Sequence, residues 1–142
     1  MRVMVLVKGD PKPGQLPTEE ILAEMGRYNE ELVKAGVMLD GNGLHPSVDG
    51  VRIRFSEGGK TTVIDGPFAE AKELVAGYWI LQVRDMDEAV EWIKRAPFEP
   101  NREFLGDPEL EIRPIFELEE FGDSPAVEHH RELQKELAEK RE

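Results

Sequence analysis

The order in which strand and helix patterns follow one another constrains the fold of this chain most strongly. Runs rich in β-branched and aromatic residues indicate strands, and apolar stripes with helical spacing indicate helices. Strand patterns occupy 3–7, 37–40, 51–55, 61–64, 76–83 and 110–118, and helix patterns occupy 19–35 and 86–96. This order is β-α-β, a β-hairpin, then β-α-β, which is close to the split βαβ arrangement. We therefore predict an α+β, ferredoxin-like antiparallel sheet with helices on one face.

Local signals define the ends of both helices. In the first helix an apolar stripe is formed by Ile21, Met25, Tyr28 and Leu32. Thr18 can cap its first turn, and Gly36 ends it. The second helix begins at Asp85, with Glu88 three residues later as in a capping box, and it ends before Pro97.

The predicted helices leave one face of the sheet open. A large exposed face of aromatic and branched side chains is unfavourable in a monomer, so a second copy is expected to cover it. Tyr78 and Trp79 point to opposite faces of a regular strand, so one enters the helix–sheet core and the other meets the interface or a pocket. We expect a homodimer whose sheets pack face to face.

Composition and charge exclude several classes of partner. The chain has 142 residues, which suit one domain, and its 18 basic and 30 acidic residues give a formal net charge of −12. This charge repels nucleic acid and anionic membranes, so neither is an expected partner. The absence of cysteine excludes disulfides and thiolate ligands. The apolar run at 3–7 is too short for a signal peptide or a membrane span, so we expect a cytoplasmic protein.

The C-terminal segment differs in composition from the rest of the chain. We divide the sequence into an α+β domain at 1–122 and a polar, helical tail at 123–142, whose apolar residues Leu133 and Leu137 lie four apart. Both a docked arm and a solvated helix are open for this tail. Its adjacent His129 and His130 do not share a helix face, and we predict no metal site and no cofactor.

The residues Asp65-Gly66-Pro67-Phe68 at the end of a predicted strand admit two interpretations. In the first, Gly66 and Pro67 turn the chain, a short helix begins, and Phe68 folds back onto the sheet. In the second, the corner holds Asp65 at the mouth of a pocket, where Lys72 and Glu73 also face a ligand. The first interpretation explains all four residues without chemistry, and we favour it.

The same residues carry a family resemblance. The segments "VMVLVKGD", "ELVKAGVMLDGNGLHP", "TVIDGPFAEAKE" followed by "GYW", and "EIRPIFELEEFG" resemble the DGPF-domain branch of the YciI-related proteins. This resemblance extends through Gly122 and implies a dimeric α+β barrel. In YciI proteins it also implies acid–base chemistry by a His-Asp pair in a cleft, and some relatives act in lactone dehalogenation or elimination. This chain has no histidine before His45, and Met25 or Tyr28 occupies the corresponding helix face.

Two function classes follow. One is an enzyme of lyase, isomerase or hydrolase type, in which Asp65 acts as acid or base with His45 or Tyr28. The other, which we favour, is a dimeric binding or accessory module for a small organic or anionic ligand, without a complete catalytic set. Candidate ligand-binding residues are Arg52, Arg54, Phe68, Lys72, Glu73 and Tyr78. The two arginines share one strand face, where they bind an anion or protect a sheet edge.

Overall fold

A computed structural model describes residues 1–100 and 107–141. Its helices and strands are β1 (Arg2–Lys8), α1 (Glu19–Lys34), β2 (Met38–Gly43), β3 (Val51–Ser56), β4 (Lys60–Asp65), β5 (Val75–Gln82), α2 (Met86–Lys94), β6 (Glu109–Pro114) and α3 (Pro125–Lys140). Four strands form an antiparallel sheet in the order β2-β5-β1-β6, and β3 and β4 form a separate two-stranded ribbon. The ribbon is inserted between β2 and β5, so the remaining elements have the ferredoxin-like order. The predicted α+β fold is confirmed.

The core lies between the sheet and helices α1 and α2. Along β1 the valines at alternate positions are buried while the residues between them are half-buried, as strand periodicity requires. The buried core is formed by Val3, Val5, Val7, Tyr28, Leu32, Val37, Ala76, Trp79, Leu81, Val83 and Ala89. The expectation that one of the two adjacent aromatics enters the helix–sheet core is met by Trp79, which is 5% exposed.

Both predicted helix caps are present. The Thr18 hydroxyl accepts a hydrogen bond from the Ile21 backbone N–H at 3.2 Å, and Asp85 Oδ1 accepts one from the Glu88 N–H at 2.9 Å. The Glu88 carboxylate reaches back to the backbone N–H of Arg84 at 2.7 Å, one residue before the cap. That hydrogen bond is the main reason why the pKa of Glu88 is lowered.

The last strand is shorter than the predicted range 110–118. Strand β6 spans Glu109–Pro114 and forms the edge of the sheet beside β1, as the proline indicated. The chain then leaves the sheet, and Phe116 packs on Phe121 with 5.0 Å between ring centroids. Periodicity alone missed this exit because the apolar alternation continues past the end of the strand.

The ribbon of β3 and β4 is exposed on both of its faces. Val51, Ile53 and Phe55 lie on one face, and the side chain of Phe55 is 80% exposed. Arg52 and Arg54 alternate with them and lie on the other face. The predicted hairpin turn is confirmed, with Gly58 in a left-handed conformation at φ 77°.

The C-terminal segment forms helix α3, capped by Ser124, and its main contact is with a short turn at Leu118–Phe121. Val127 is buried, whereas Leu133 and Leu137 are exposed. Among the described residues, no helix combines the length and apolar character needed to cross a membrane.

Candidate functional site

An apolar cavity lies between α1 and the ends of strands β2 and β5. Its volume is about 250 Å³. Ile21, Leu22, Met25 and Asn29 line it from α1, and Phe98 lines it from the segment after α2. Most of this surface is apolar, which is typical of a small-molecule site with a few polar anchors.

Trp79 of β5 is the central aromatic residue of the cavity wall. Its ring lies edge-to-face against Tyr28, with 5.9 Å between centroids, and against Phe98, with 6.2 Å. Edge-to-face pairs at these distances are favourable, so the indole is held from two sides. These contacts fix the orientation of the indole in the cavity wall.

The indole needs a residue without a side chain on the neighbouring strand. Gly41 of β2 lies directly opposite Trp79, and a Cβ at Gly41 would come within 2.8 Å of the indole Cδ1. The indole Nε1–H donates a hydrogen bond to Asn29 Oδ1 at 2.9 Å. Trp79 thus joins α1 to the sheet at the inner end of the cavity.

A polar network lies on the other face of the sheet from Trp79, because Tyr78 and Asn42 alternate with Trp79 and Gly41 along β5 and β2. The Tyr78 hydroxyl donates to Asp40 Oδ2 at 3.2 Å and accepts from Asn42 Nδ2 at 3.0 Å. Asp40 Oδ1 also accepts the Gly41 backbone N–H at 2.9 Å. Tyr78, a predicted ligand-binding residue, does line the cavity, but its hydroxyl is already used in both directions.

The cavity has little capacity for proton transfer. Among the described residues that line it, Tyr78 is the only one with a titratable side chain. Met25, from the apolar face of α1, contributes a thioether to the lining. A thioether packs against aromatic rings but does not act as a general base.

Tyr28 lies in the core and not at the cavity surface. It is 5% exposed, and its hydroxyl donates to the Trp92 carbonyl oxygen at 2.6 Å. Burial raises the pKa of Tyr28 to about 12. Two nearby charges have smaller effects: Arg95 lowers this pKa and Glu31 raises it. The phenol therefore stays protonated at neutral pH and holds α1 against α2.

The Asp65–Phe68 corner is built around contacts with the loop at 46–50. A Cβ at Gly66 would lie 1.8 Å from the Ser47 carbonyl oxygen, so only glycine fits there. The Gly66 N–H donates to the Gly50 carbonyl at 2.9 Å. The Phe68 N–H donates to the Ser47 hydroxyl at 3.1 Å. Packing and these hydrogen bonds account for Gly66 and Phe68, the second and fourth residues of the motif.

Asp10 completes the same set of contacts. Its two carboxylate oxygens accept the Ser47 backbone N–H at 2.7 Å and the Ser47 hydroxyl at 2.6 Å. The loop after β1, the loop at 46–50 and the corner are thereby joined through one serine. Sequence reasoning did not identify Asp10 or Ser47, because no local pattern links positions so distant in the chain.

The helical turn predicted to start at Pro67 begins later. A single 3₁₀ turn spans Ala71–Glu73, after the cis Gly66–Pro67 bond and a bend. The backbone N–H groups of Gly66 and Phe68 bond to the loop at 46–50, as above. The predicted corner is present, and its helix is shorter than expected.

Asp65 and His45, the proposed catalytic pair, have different environments. Asp65 is exposed, and within the described part of the chain its carboxylate has no hydrogen-bond partner. His45 has an 87% exposed side chain, and its Nδ1 lies 3.0 Å from Asp49 Oδ2. Neither residue lines the cavity.

The remaining candidates lie at the corner and on the ribbon. The Arg52 guanidinium lies over the Phe68 ring at 4.0 Å, a cation–π contact. Arg54, Lys72 and Glu73 are exposed and lie outside the cavity lining. The structure thus separates the sequence candidates from the cavity, with Tyr78 as the exception.

The polar residue inside the cavity that sequence reasoning missed is Asn29. It lies one position beyond Tyr28, next to the apolar stripe of α1, and a single asparagine on a helix carries no distinctive motif. Asn29 and Trp79 lie 50 positions apart in the chain, so only the fold brings them together.

Comparison with known proteins gives two findings. The model of the YCII-related domain matches residues 1–117. An uncharacterised protein of Rhizobium meliloti (strain 1021) is 30% identical over 76 residues, which cover 54% of this chain and 60% of that protein. The matched family region contains all six strands and the cavity. This chain therefore belongs to the family of proteins with a YCII-related domain.

Proposed function

We propose that this protein is a homodimeric small-molecule-binding or accessory module, and that the cavity beside Trp79 is its binding site. The DGPF sequence at Asp65–Phe68 supports its placement in the DGPF branch of the family. The ligand is a small organic molecule, because the cavity volume of about 250 Å³ is near the lower end of ligand sites.

One observation carries this proposal. The described lining combines apolar and aromatic surface with the polar side chain of Asn29, and it contains no carboxylate, histidine, lysine or arginine side chain. Catalysis of elimination or hydrolysis requires an acid or base within hydrogen-bond reach of the substrate. Apolar surface with a few polar groups is sufficient for binding.

Filling the cavity tests the proposal. Met25→Trp places a larger ring in the cavity from α1, and Arg27→Trp places the same ring on an exposed position of the same helix. Binding of a panel of small cyclic organic compounds is followed by the NMR signal of the Trp79 indole N–H. We expect Met25→Trp to abolish binding and Arg27→Trp to retain it, with folding checked by thermal unfolding. Equal binding by both variants would place the site elsewhere.

The open face of the sheet supports the homodimer. Met4, Leu6 and Ile80 lie on the face opposite to the buried core and are only half-buried in the single chain. Burial of an apolar surface of this kind is the usual basis of a two-fold interface. Sedimentation velocity should show a dimer, and Ile80→Lys should dissociate it. Val33→Lys, on an exposed position of α1, should leave the dimer intact, whereas a wild-type monomer at all concentrations would refute the homodimer.

The alternative function is a small-molecule enzyme of lyase, isomerase or hydrolase type that uses Asp65 with His45 or Tyr28. It is supported by the contact between His45 and Asp49, because a carboxylate at Nδ1 orients an imidazole and leaves Nε2 for proton transfer. A turnover assay on lactones and halogenated acids with Asp65→Asn and His45→Gln tests it. Loss of turnover in both variants without loss of stability would favour this alternative.

A further inference from the structure

Asn29 has a defined orientation in the cavity. The Trp79 Nε1–H can only donate a hydrogen bond, so the Asn29 atom that faces it must be the carboxamide oxygen. This fixes which end of the amide is engaged by the protein. The remaining group, Nδ2, carries two N–H donors, and the described residues provide no acceptor for them.

The other polar side chains at the cavity are already paired with one another. Tyr78 donates to Asp40 and accepts from Asn42, and the Asn42 amide also lies 3.4 Å from Asp40 Oδ1. A ligand that binds these groups must first break that network. The Asn29 amide N–H groups are therefore the available side-chain donors of the described lining.

The charges around the cavity disfavour an anion. The described lining has no lysine or arginine, and the chain has a net charge of −12. A carboxylate placed here would lose its hydration without gaining a counter-ion. A neutral acceptor such as a carbonyl oxygen has no such cost.

The size and walls of the cavity define the rest of the ligand. An apolar cavity of about 150 Å³ is enough to bind benzene. The volume of about 250 Å³ here thus holds a single ring with a short substituent. Trp79 and Phe98 present aromatic surface, and Met25 adds a thioether, which also packs well against rings.

From these contacts we infer that the cavity selects a neutral monocyclic compound with a carbonyl oxygen, which accepts a hydrogen bond from Asn29 Nδ2. This inference rests on the proposed function and narrows its ligand to one chemical class. The ring lies against Trp79 and Phe98, and the carbonyl substituent lies toward α1. A ring without an acceptor should bind more weakly, because it displaces the water around the Asn29 amide N–H groups and offers them no hydrogen bond in return.

The test compares three probes on wild-type protein and two variants. The probes are acetophenone, isopropylbenzene and benzoate, which share the ring and differ in the acceptor and the charge. Asn29→Asp keeps an oxygen for the Trp79 indole but removes the donors. Gln134→Glu adds the same negative charge at an exposed position of α3, outside the cavity lining. Affinities come from NMR titration, and the Trp79 indole signal and thermal unfolding report whether each variant is folded.

In wild-type protein we expect acetophenone to bind and benzoate to bind at least about tenfold more weakly. Asn29→Asp should reduce the affinity for acetophenone relative to isopropylbenzene by about tenfold or more, and Gln134→Glu should change that ratio by less than about twofold.

Other outcomes overturn the inference in distinguishable ways. If the ratio is the same in Asn29→Asp as in wild type, the role of Asn29 is wrong, while the binding function stands. If benzoate binds as tightly as acetophenone, the neutral class is wrong. If none of the three probes, nor any compound of the wider panel, shifts the Trp79 signal, the proposed function fails together with the inference.

Discussion

The cavity beside Trp79 and the corner at Asp65–Phe68 differ in how their polar groups are used. At the corner, Asp10, Ser47 and the backbone N–H of Phe68 bind one another, and Gly66 lies against a carbonyl oxygen. In the cavity, Asn29 keeps two donors free beside open volume. The sequence motif that attracts attention is thus occupied by structural contacts, whereas the inconspicuous asparagine has capacity for a ligand.

The largest expected effect tests whether the corner is structural. Gly66→Ala would place a Cβ 1.8 Å from a backbone oxygen that no side-chain rotation can move, so we expect a loss of about 3 kcal/mol or more in the free energy of unfolding. Urea denaturation measures it. As a control, Gly26→Ala on α1 has no atom within 4 Å and should stabilise the protein by up to about 1 kcal/mol. Equal stability of the two variants would contradict the tight packing at Gly66.

A second variant separates stability from binding at the corner. Ser47→Ala leaves the Phe68 N–H without its acceptor and removes one bond from Asp10, which should cost about 2 kcal/mol. Acetophenone affinity, measured on the folded protein, should change by less than about twofold, because Ser47 does not line the cavity. If binding is lost while stability is retained, the corner and not the cavity is the functional region.

These two regions also show what sequence reasoning can and cannot predict. Thr18, Gly36 and Asp85 were assigned correctly because caps and helix ends depend on neighbours a few residues away. The order of helices and strands along the chain followed from the sequence of patterns. The cavity could not be predicted, because it depends on Gly41 facing Trp79 across two strands and on Asn29 reaching the same indole from a helix.

Met25 illustrates the same limit. It belongs to the apolar stripe of α1, and a stripe predicts burial without distinguishing a packed core from the wall of a cavity. Tyr28 and Leu32 on that stripe are buried, whereas Met25 is half-buried and lines open volume. The difference arises from the neighbouring glycines of β2 and from Phe98, which periodicity does not describe.

A third variant sharpens the contrast between the two tyrosines. Tyr28→Phe removes the hydrogen bond to the Trp92 carbonyl, and we expect a loss of about 1 kcal/mol at neutral pH. The carbonyl keeps a second donor, the Arg95 N–H at 3.2 Å, which limits the cost. Thermal unfolding measures the effect, and a loss above about 3 kcal/mol would show that the hydroxyl has a larger role than one bond.

The pKa of Tyr28 gives a pH dependence with a definite sign. The folded pKa of about 12 is above the ordinary value of 10.0, so folding favours the protonated phenol. Its contribution to stability is complete below pH 10.0 and is lost as the pH rises through about 12. Tyrosinate absorbance of Tyr78→Phe, in which Tyr28 is the remaining tyrosine, should show this late titration. Ionisation of Tyr28 near pH 10.0 would contradict its burial.

The smallest expected change in stability concerns an ion pair outside both regions. The Arg2 guanidinium donates two hydrogen bonds to the Glu117 carboxylate, at 3.0 and 3.1 Å. These bonds are the main reason why the pKa of Glu117 is lowered. Because both side chains are more than a third exposed, Glu117→Gln should cost less than about 1 kcal/mol. A lowered pKa stabilises the fold above the ordinary pKa of 4.5 and loses this effect as the pH falls below it. The two proteins should therefore become equally stable in acid, and a difference that persists at low pH would rule out this origin.

The most direct test of the central claim is an NMR titration of the wild-type protein with acetophenone, followed at the backbone amides, the Asn29 side-chain amide and both indole N–H groups. The claim predicts shifts at Asn29 and at the Trp79 indole, with the Trp92 indole as an internal reference outside the cavity lining. The amides of Ser47, Asp65 and Phe68 should not move. Shifts at the corner with an unchanged Trp79 signal would contradict the assignment of the cavity as the binding site.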